Sequence, residues 1–319
     1  MAEVRALGAF SGGLDGMLAA KLLLDQGIHV EAITFDSPFF NAEAGRIAAS
    51  VVGIPWRAVD FTPDILSLLS DPPSGFGKNM NPCIDCHAAM FARLKGIARE
   101  SGFDFIFSGE VVGQRPMSQN RGSLNRVKNI SGTGDILLRP LSALLLDPTP
   151  MEETGLVDRS RLLDLNGRGR SRQLEMARGH GFSHIPAPAG GCLLTDPGYS
   201  VRLGILKEAG LLTGETARII RYGRMFHLPG AVALVGRSEA ENTTLQNTGL
   251  GIQLDLPDIP GPLGVLIGDT SETNLTLLTA IMASYTKAKK PVRSLSNTGE
   301  FFKASSIDPA DRDEYCVVL

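Results

Sequence analysis

The 319-residue sequence predicts an α/β protein, a parallel sheet with flanking helices, followed by a smaller C-terminal α+β domain. Three observations carry that prediction. Short apolar runs alternate with helical spacings from the start to about residue 69. Glycine-rich polar segments stand at the ends of the expected strands. Beyond about residue 222 the pattern changes to short β-like runs punctuated by Gly, Pro and Asp. The expected domains are therefore 1–221 and 222–319.

Taken in order, residues 4–10 form the first apolar run, and Ser11-Gly12-Gly13 breaks it. A helix is expected over 15–26, where Met17, Leu18 and Leu22 fall at helical spacing. Strands follow at 30–35 and 56–59, with a helix over 41–52 between them. Residues 71–77, DPPSGFG, read as a loop, 83–100 as a helix, and 104–108 as a further strand. Short helices are expected over 152–181 and a helical stretch over 201–220. After the boundary come the runs 231–235, 249–256 and 264–267 and a long helix over 274–284.

The charge balance, 31 basic against 34 acidic residues, does not advertise nucleic acid as a partner. Neither expected domain is uniformly basic: 23 basic and 23 acidic residues precede residue 222, and 8 and 11 follow it. Any RNA contact must be patchy. The local exception is Arg159, Arg161, Arg168, Arg170, Arg172 and Arg178, in a segment whose acids are only Asp158, Asp164 and Glu175. No apolar run is long enough to span a bilayer, and the start lacks a signal-peptide pattern, so the expectation is a cytoplasmic protein with no membrane partner. Four cysteines, Cys83, Cys86, Cys192 and Cys316, suit a reducing compartment.

The chemistry concentrates in a few motifs. Gly12 and Gly13 between a strand and a helix allow backbone N–H groups to approach an anion, and Asp15 lies in the same turn. Asn81-Pro82-Cys83-Ile84-Asp85-Cys86-His87 places a CxxC at a helix start, where the dipole favours thiolate. Pro188-Ala189-Gly190-Gly191-Cys192 sets a third thiol in a glycine turn. Three converging thiolates could hold an iron–sulfur cluster, bind zinc with His87 as fourth ligand, or relay sulfur. Ser108-Gly109-Glu110, running on to Gln114 and Arg115, follows a strand directly and so shares a sheet edge with the first turn. A loop salt bridge is the plain account of Glu110 and Arg115.

SGGLDG resembles the SGGxDS loop of the PP-loop ATP pyrophosphatases, an adenine nucleotide alpha hydrolase-like fold. NPCIDCH, SGEVVGQR, LLRPL and PAGGC, in that order, resemble the tRNA thiolases among them, the 2-thiouridylases and 4-thiouridine synthetases. The resemblance covers roughly residues 5 to 200. It implies ATP and Mg²⁺ as cofactors, adenylation of a tRNA base oxygen with release of pyrophosphate, and displacement of AMP by sulfur. It also implies that Ser11, Gly12, Gly13, Asp15 and Gly16 cradle the pyrophosphate, with Phe35 and Asp36 near adenine and ribose and Gly109 and Glu110 beside the nucleotide. Cys83 and Cys192 would then do sulfur chemistry with Asp15 as the third catalytic residue. A three-Cys [4Fe–4S] cluster on Cys83, Cys86 and Cys192 is the favoured metal, with zinc as the alternative. One departure is Gly16, where the family pattern has Ser and a hydroxyl that would donate to phosphate; its loss is expected to cost about 1 kcal/mol of binding.

Val235-Gly236-Arg237-Ser238 with Glu241-Asn242, and DIPGP at 258–262, resemble the NFACT-R domain, an RNA-associated module, over roughly 222–319. A dimerisation domain, and hence a homodimer, is the plain alternative. The expected RNA contacts are Arg115, Arg168, Arg170, Arg172 and Arg237. The reading is ATP-dependent tRNA uridine thiolation, with inorganic sulfide or a persulfide carrier as sulfur donor. Its rivals are an ATP pyrophosphatase acting on a small molecule, and a non-enzymatic RNA-binding protein whose loop has decayed.

Overall fold

A computed structural model describes residues 3–115, 117–188 and 192–317. The chain divides into two compact units, Met1–Cys192 and Leu193–Leu319. Residues 193–221, placed with the first domain on sequence, pack with the second unit. Among the described residues no helix is long and apolar enough to cross a membrane.

The first unit alternates strands and helices: β1 (Arg5–Ala9), α1 (Leu14–Leu24), β2 (His29–Asp36), α2 (Glu43–Val52), β3 (Trp56–Asp60), α3 (Thr62–Ser70), α4 (Cys83–Glu100), β4 (Phe105–Ser108), α5 (Arg121–Ser131) and β5 (Leu137–Leu138). Two short helices follow, α6 (Pro150–Glu153) and α7 (Ser171–Gly179). The five strands are parallel in the order β3-β2-β1-β4-β5. Ala6 and Leu7 of β1 and the whole of β4 are buried, as expected of strands covered by helices on both faces. Ala19, Ala20 and Leu23 of α1 and Phe91, Leu94 and Ala98 of α4 are buried too. Each fully buried large side chain among them contributes about 1.5–3 kcal/mol.

The order of strands positions the site. The chain winds from β1 to β2 and β3 in one direction, then returns to the other side of β1 with β4 and β5. The crevice beyond the carboxyl ends of β1 and β4 is thus a topological switch point, where helices diverge and leave room for a ligand.

The second unit opens with α8 (Pro197–Glu208) and α9 (Gly214–Ile219). It continues through β6 (Arg224–Leu228), β7 (Ala231–Val235), α10 (Glu239–Asn247), β8 (Ile252–Asp255), β9 (Gly264–Gly268), α11 (Glu272–Ser284), β10 (Val292–Ser296), β11 (Phe301–Ala304) and α12 (Pro309–Tyr315). Its sheet is antiparallel, ordered β11-β10-β8-β9-β7-β6. Leu275, Leu278, Ile281 and Met282 of α11 form one core with Phe226, Ala233, Val235 and Leu266 of the sheet. The α/β-then-α+β fold class read from the sequence is the fold observed.

Candidate active site

Ser11-Gly12-Gly13 leaves the end of β1, and α1 begins at Leu14, so the first backbone N–H groups of α1 border the turn. Gly12 has φ +83°, and a Cβ there would fall 2.3 Å from the carbonyl carbon of Ala44, at the first turn of α2. Only glycine lets α1 and α2 begin this close together. Gly109 plays the matching part after β4. A Cβ on it would lie 2.4 Å from the backbone nitrogen of Gly16 and 2.5 Å from the carbonyl carbon of Asp15. The β4 loop therefore lies directly against the first turn of α1.

Asp15 points into this junction. Gln114 Nε2 donates to its Oδ2 at 2.6 Å, and Gln173 of α7 hydrogen-bonds it as well. Burial pushes the Asp15 carboxyl above its ordinary range, against the pull of Gln114, Arg170, Gln173 and Arg115. Among the described residues, two buried oxygens here, Asp15 Oδ1 and Gln114 Oε1, have no donor. A buried acceptor left without a partner is costly, and oxygens of this kind are the ligands a hard cation takes, beside waters and phosphate oxygens. Mg²⁺ fits these residues. Arg115 and Arg170, expected on sequence to contact RNA, bring their charge to Asp15.

The thiol lies beside this junction. Cys83 and His87 stand four residues apart at the start of α4, hence on one face, and hydrogen-bond each other. His87 Nδ1 lies 3.1 Å from Glu110 Oε1, and Arg139 Nε donates to Glu110 Oε2 at 2.7 Å. Glu110 and Arg139 are both buried. Burial opposes a charge on His87, but the hydrogen bonds to Cys83 and Glu110 outweigh it and push its pKa up to about 10. Burial likewise works against the Glu110 carboxylate, and the charge of Arg139 with the His87 hydrogen bond overcomes it, holding the pKa at about 2. Burial raises Cys83, yet His87, Ser118 and Arg115 together bring its thiol below the usual value. The charged imidazole beside it thus favours the thiolate form of Cys83. Cys86 is the opposite case: burial, then the charges of Cys192, Cys83 and Asp85, push its thiol well up. Asp85 is itself buried and accepts from the backbone nitrogen and hydroxyl of Ser74 at 2.7 and 2.6 Å, tying the loop before α4 onto its first turn.

Cys192 is near enough for Cys86 to feel its charge, so the structure brings the CxxC and the distant thiol into one neighbourhood. Gly190 and Gly191, the turn expected to present Cys192, lie outside the described residues. The cysteines are thiols rather than disulfides. Among the described residues no group of three His, Cys, Asp or Glu side chains is arranged to hold a metal ion. Cys83 hydrogen-bonds His87 and Ser118, and burial favours the neutral thiol of Cys86.

The remaining expected residues have contacts of their own. Phe35 is a core residue whose ring centroid is 5.2 Å from that of Phe61. Asp36 Oδ1 accepts from the backbone nitrogen of Ala42 at 3.1 Å, closing the turn ahead of α2. Arg172 pairs with Asp164 at 2.8 Å, Arg168 is exposed, and Arg237, in the second unit, is bound to Glu241 through its backbone nitrogen and guanidinium. Sequence reasoning linked Glu110 with Arg115; in the structure its partners are His87 and Arg139. The i, i+4 spacing of Cys83 and His87 was the available signal for half of this chain of contacts. The LLRPL motif contains Arg139, but nothing local paired it with Glu110, 29 residues away, and nothing local pointed to Gln173.

Residues 223–315 match the model of the NFACT protein RNA binding domain. The chain is similar to tRNA-specific 2-thiouridylases. It is 28% identical over 159 residues to MnmA 1 of Syntrophus aciditrophicus, 45% of this chain and 42% of that protein. It is 27% identical over 266 residues to MnmA of Pelobacter propionicus, 78% of this chain and 68% of that protein. The first of these matches therefore spans less than half of its relative. A solved 4-thiouridine synthetase, in complex with RNA and with bound ATP, is 24% identical over 50% of this chain and 40% of that chain, with a TM-score of 0.36.

Proposed function

We propose that the chain is an ATP-dependent tRNA uridine sulfurtransferase. The observation that carries this reading is the pair Gly109-Glu110: Gly109 packs on the anion-binding turn at Gly16, and the very next residue hydrogen-bonds the histidine of the Cys83 pair. Two successive residues join a phosphate cradle to an activated thiol. A phosphate-binding turn alone suits any nucleotide enzyme, and an activated thiol alone suits many redox proteins. Their direct coupling suits a reaction that first makes a leaving group and then delivers sulfur.

In this reading the Ser11-Gly12-Gly13 turn and the first turn of α1 bind the pyrophosphate half of ATP. Arg115 and Arg170 add positive charge, and Asp15 with Gln114 would hold Mg²⁺, which neutralises charge developing on the pyrophosphate. A uridine carbonyl oxygen attacks the α-phosphorus, and the P–O bond to pyrophosphate breaks. The oxygen is now part of an AMP leaving group. A persulfide carrier gives its outer sulfur to the Cys83 thiolate and leaves as a thiol. The terminal sulfur of the Cys83 persulfide forms the C–S bond as the C–O bond to AMP breaks. Cys192 attacks the Cys83 sulfur so that the S–S bond breaks and a Cys83–Cys192 disulfide remains, and an external dithiol reduces that disulfide. His87, charged through its contacts, stabilises the Cys83 thiolate and can return a proton. Sulfur passes through the thiols themselves in this scheme. The second unit holds RNA, and the cytoplasm, where tRNA is modified, is the proposed location.

The test is pyrophosphate release from ATP with and without a tRNA transcript, in the presence of a persulfide donor and a dithiol reductant, read beside an organomercury gel that retards thiolated RNA. Release that requires tRNA, accompanied by a retarded band, is expected. Release indifferent to tRNA would instead indicate a small-molecule substrate, and no release at all a binding protein.

A further inference from the structure

Several arginines that the sequence marks for RNA are spent within the fold. Arg159 binds Glu152 and donates to the Leu146 carbonyl, Arg161 donates to the Asp25 carbonyl, and Arg172 pairs with Asp164. Arg237 is chelated by Glu241, whose carboxyl its hydrogen bonds hold at about 2. Among the described residues of the second unit, Lys287, Lys289, Lys290 and Lys303 are cations with no ion pair. Residues 287–303 carry five of the eight basic residues that follow residue 222 and a single acid, Glu300.

The fold gathers them at one edge of the sheet. β11 is the outermost strand and pairs antiparallel with β10, with Arg293 opposite Lys303 and Leu295 opposite Phe301. Alternation turns Val292, Ser294 and Ser296 inward and leaves Arg293, Phe301 and Lys303 exposed. Lys287, Lys289 and Lys290 are exposed in the segment that leads into β10. Among the described residues these four lysines form no ion pair, whereas Arg293 shares its charge with Asp258 at 3.0 Å. The Arg293 guanidinium also sits 5.2 Å from the ring centroid of Phe301. Phe301 is 57% exposed, more than any other phenylalanine among the described residues.

Edge-strand lysines by themselves serve to keep sheets from pairing with one another. An exposed phenylalanine on the same strand works against that purpose. Phe301 and Lys303 stand two residues apart, about 7 Å along one face. An aromatic platform with adjacent unpaired cations suits a ligand having both flat bases and phosphates.

We infer that the β10–β11 edge and the lysine segment before it are the RNA-contact face of this unit, the four lysines meeting phosphates and Phe301 stacking a base. The inference rests on the proposal that tRNA is the substrate. It is tested on the full chain, with a labelled tRNA transcript titrated over about 50 to 200 mM salt. Replacing Lys287, Lys289, Lys290 and Lys303 together by Gln should reduce the slope of log affinity against log salt by about 3, at ~0.7–0.9 per lost contact. Phe301→Ala should weaken binding about tenfold with the slope unchanged, and Arg237→Ala should leave the slope as it is. All five positions in the two test variants are exposed, so an unchanged circular dichroism spectrum and melting temperature should accompany the effect. Wild-type slope and affinity in the lysine variant would overturn the inference alone. So would intact tRNA binding together with lost binding to phosphatidylserine vesicles, which would make the edge a lipid surface. Failure of the wild-type chain to bind tRNA at the lowest salt would overturn the tRNA reading itself.

Discussion

His87 Nδ1 lies 3.1 Å from Glu110 Oε1, so a histidine one turn into α4 and a carboxylate just past β4 share one proton path to the thiol of Cys83. Cys83 should therefore be the thiol that reacts first with iodoacetamide at neutral pH, and Cys86 should react last. His87→Ala should slow the labelling of Cys83 by about tenfold, the effect of roughly 1.4 kcal/mol, and move its pH midpoint upward. Peptide mass spectrometry over a pH series reads both. Equal labelling of Cys83 and Cys86 would rule out the ion pair.

The same pair predicts how stability depends on pH. Glu110 is lowered from 4.5 to about 2, so its contribution is present above pH 4.5 and is lost as pH falls toward 2. His87 is raised from 6.5 to about 10, so its contribution is complete below pH 6.5 and is lost as pH rises toward 10. Urea midpoints should be highest between about pH 4.5 and 6.5, and Glu110→Gln should flatten the acid limb. An acid limb unchanged by that substitution would assign the acid sensitivity to other carboxylates.

Arg139→Leu should destabilise the first unit by about 3 kcal/mol, because it removes the closer of the two cations that pair with a buried carboxylate and leaves His87 alone to offset it. The double variant with Glu110→Gln should recover part of that loss. Denaturant titrations of the two single variants and the double variant measure the coupling; additive losses would show that the two side chains act independently.

Three substitutions around the turn should separate space from chemistry. Asp15→Ala should abolish ATP-dependent pyrophosphate release while leaving the circular dichroism spectrum unchanged. Gly16→Ser should fold, since its Cβ would meet the Phe10 ring at 3.4 Å, and should tighten ATP binding by about 1 kcal/mol through the added hydroxyl. Gly109→Ala should lose release altogether, because a Cβ 2.4 Å from Gly16 forces the β4 loop off α1. A fully active Gly109→Ala enzyme would show that this contact is dispensable.

By itself the sequence determined the parallel α/β order, the glycine turn after the first strand, the thiol at a helix start and the change to an α+β unit. Each is a local matter: periodicity over a dozen residues, glycine where backbone must approach backbone, and i, i+4 spacing on one helix face. The tertiary structure alone decided which charges meet. Glu110 found Arg139 and His87 instead of Arg115 because β4 and β5 are neighbours in the sheet and α4 opens beside the loop after β4. The arginine segment divided for the same reason: Arg170 reaches the field of Asp15, while Arg159 and Arg161 are drawn into carbonyls and carboxylates more than six residues away. Composition counts charges, but only the fold determines which of them are already neutralised; that depends on burial and on partners brought close by strand order, neither of which has a signature in neighbouring residues.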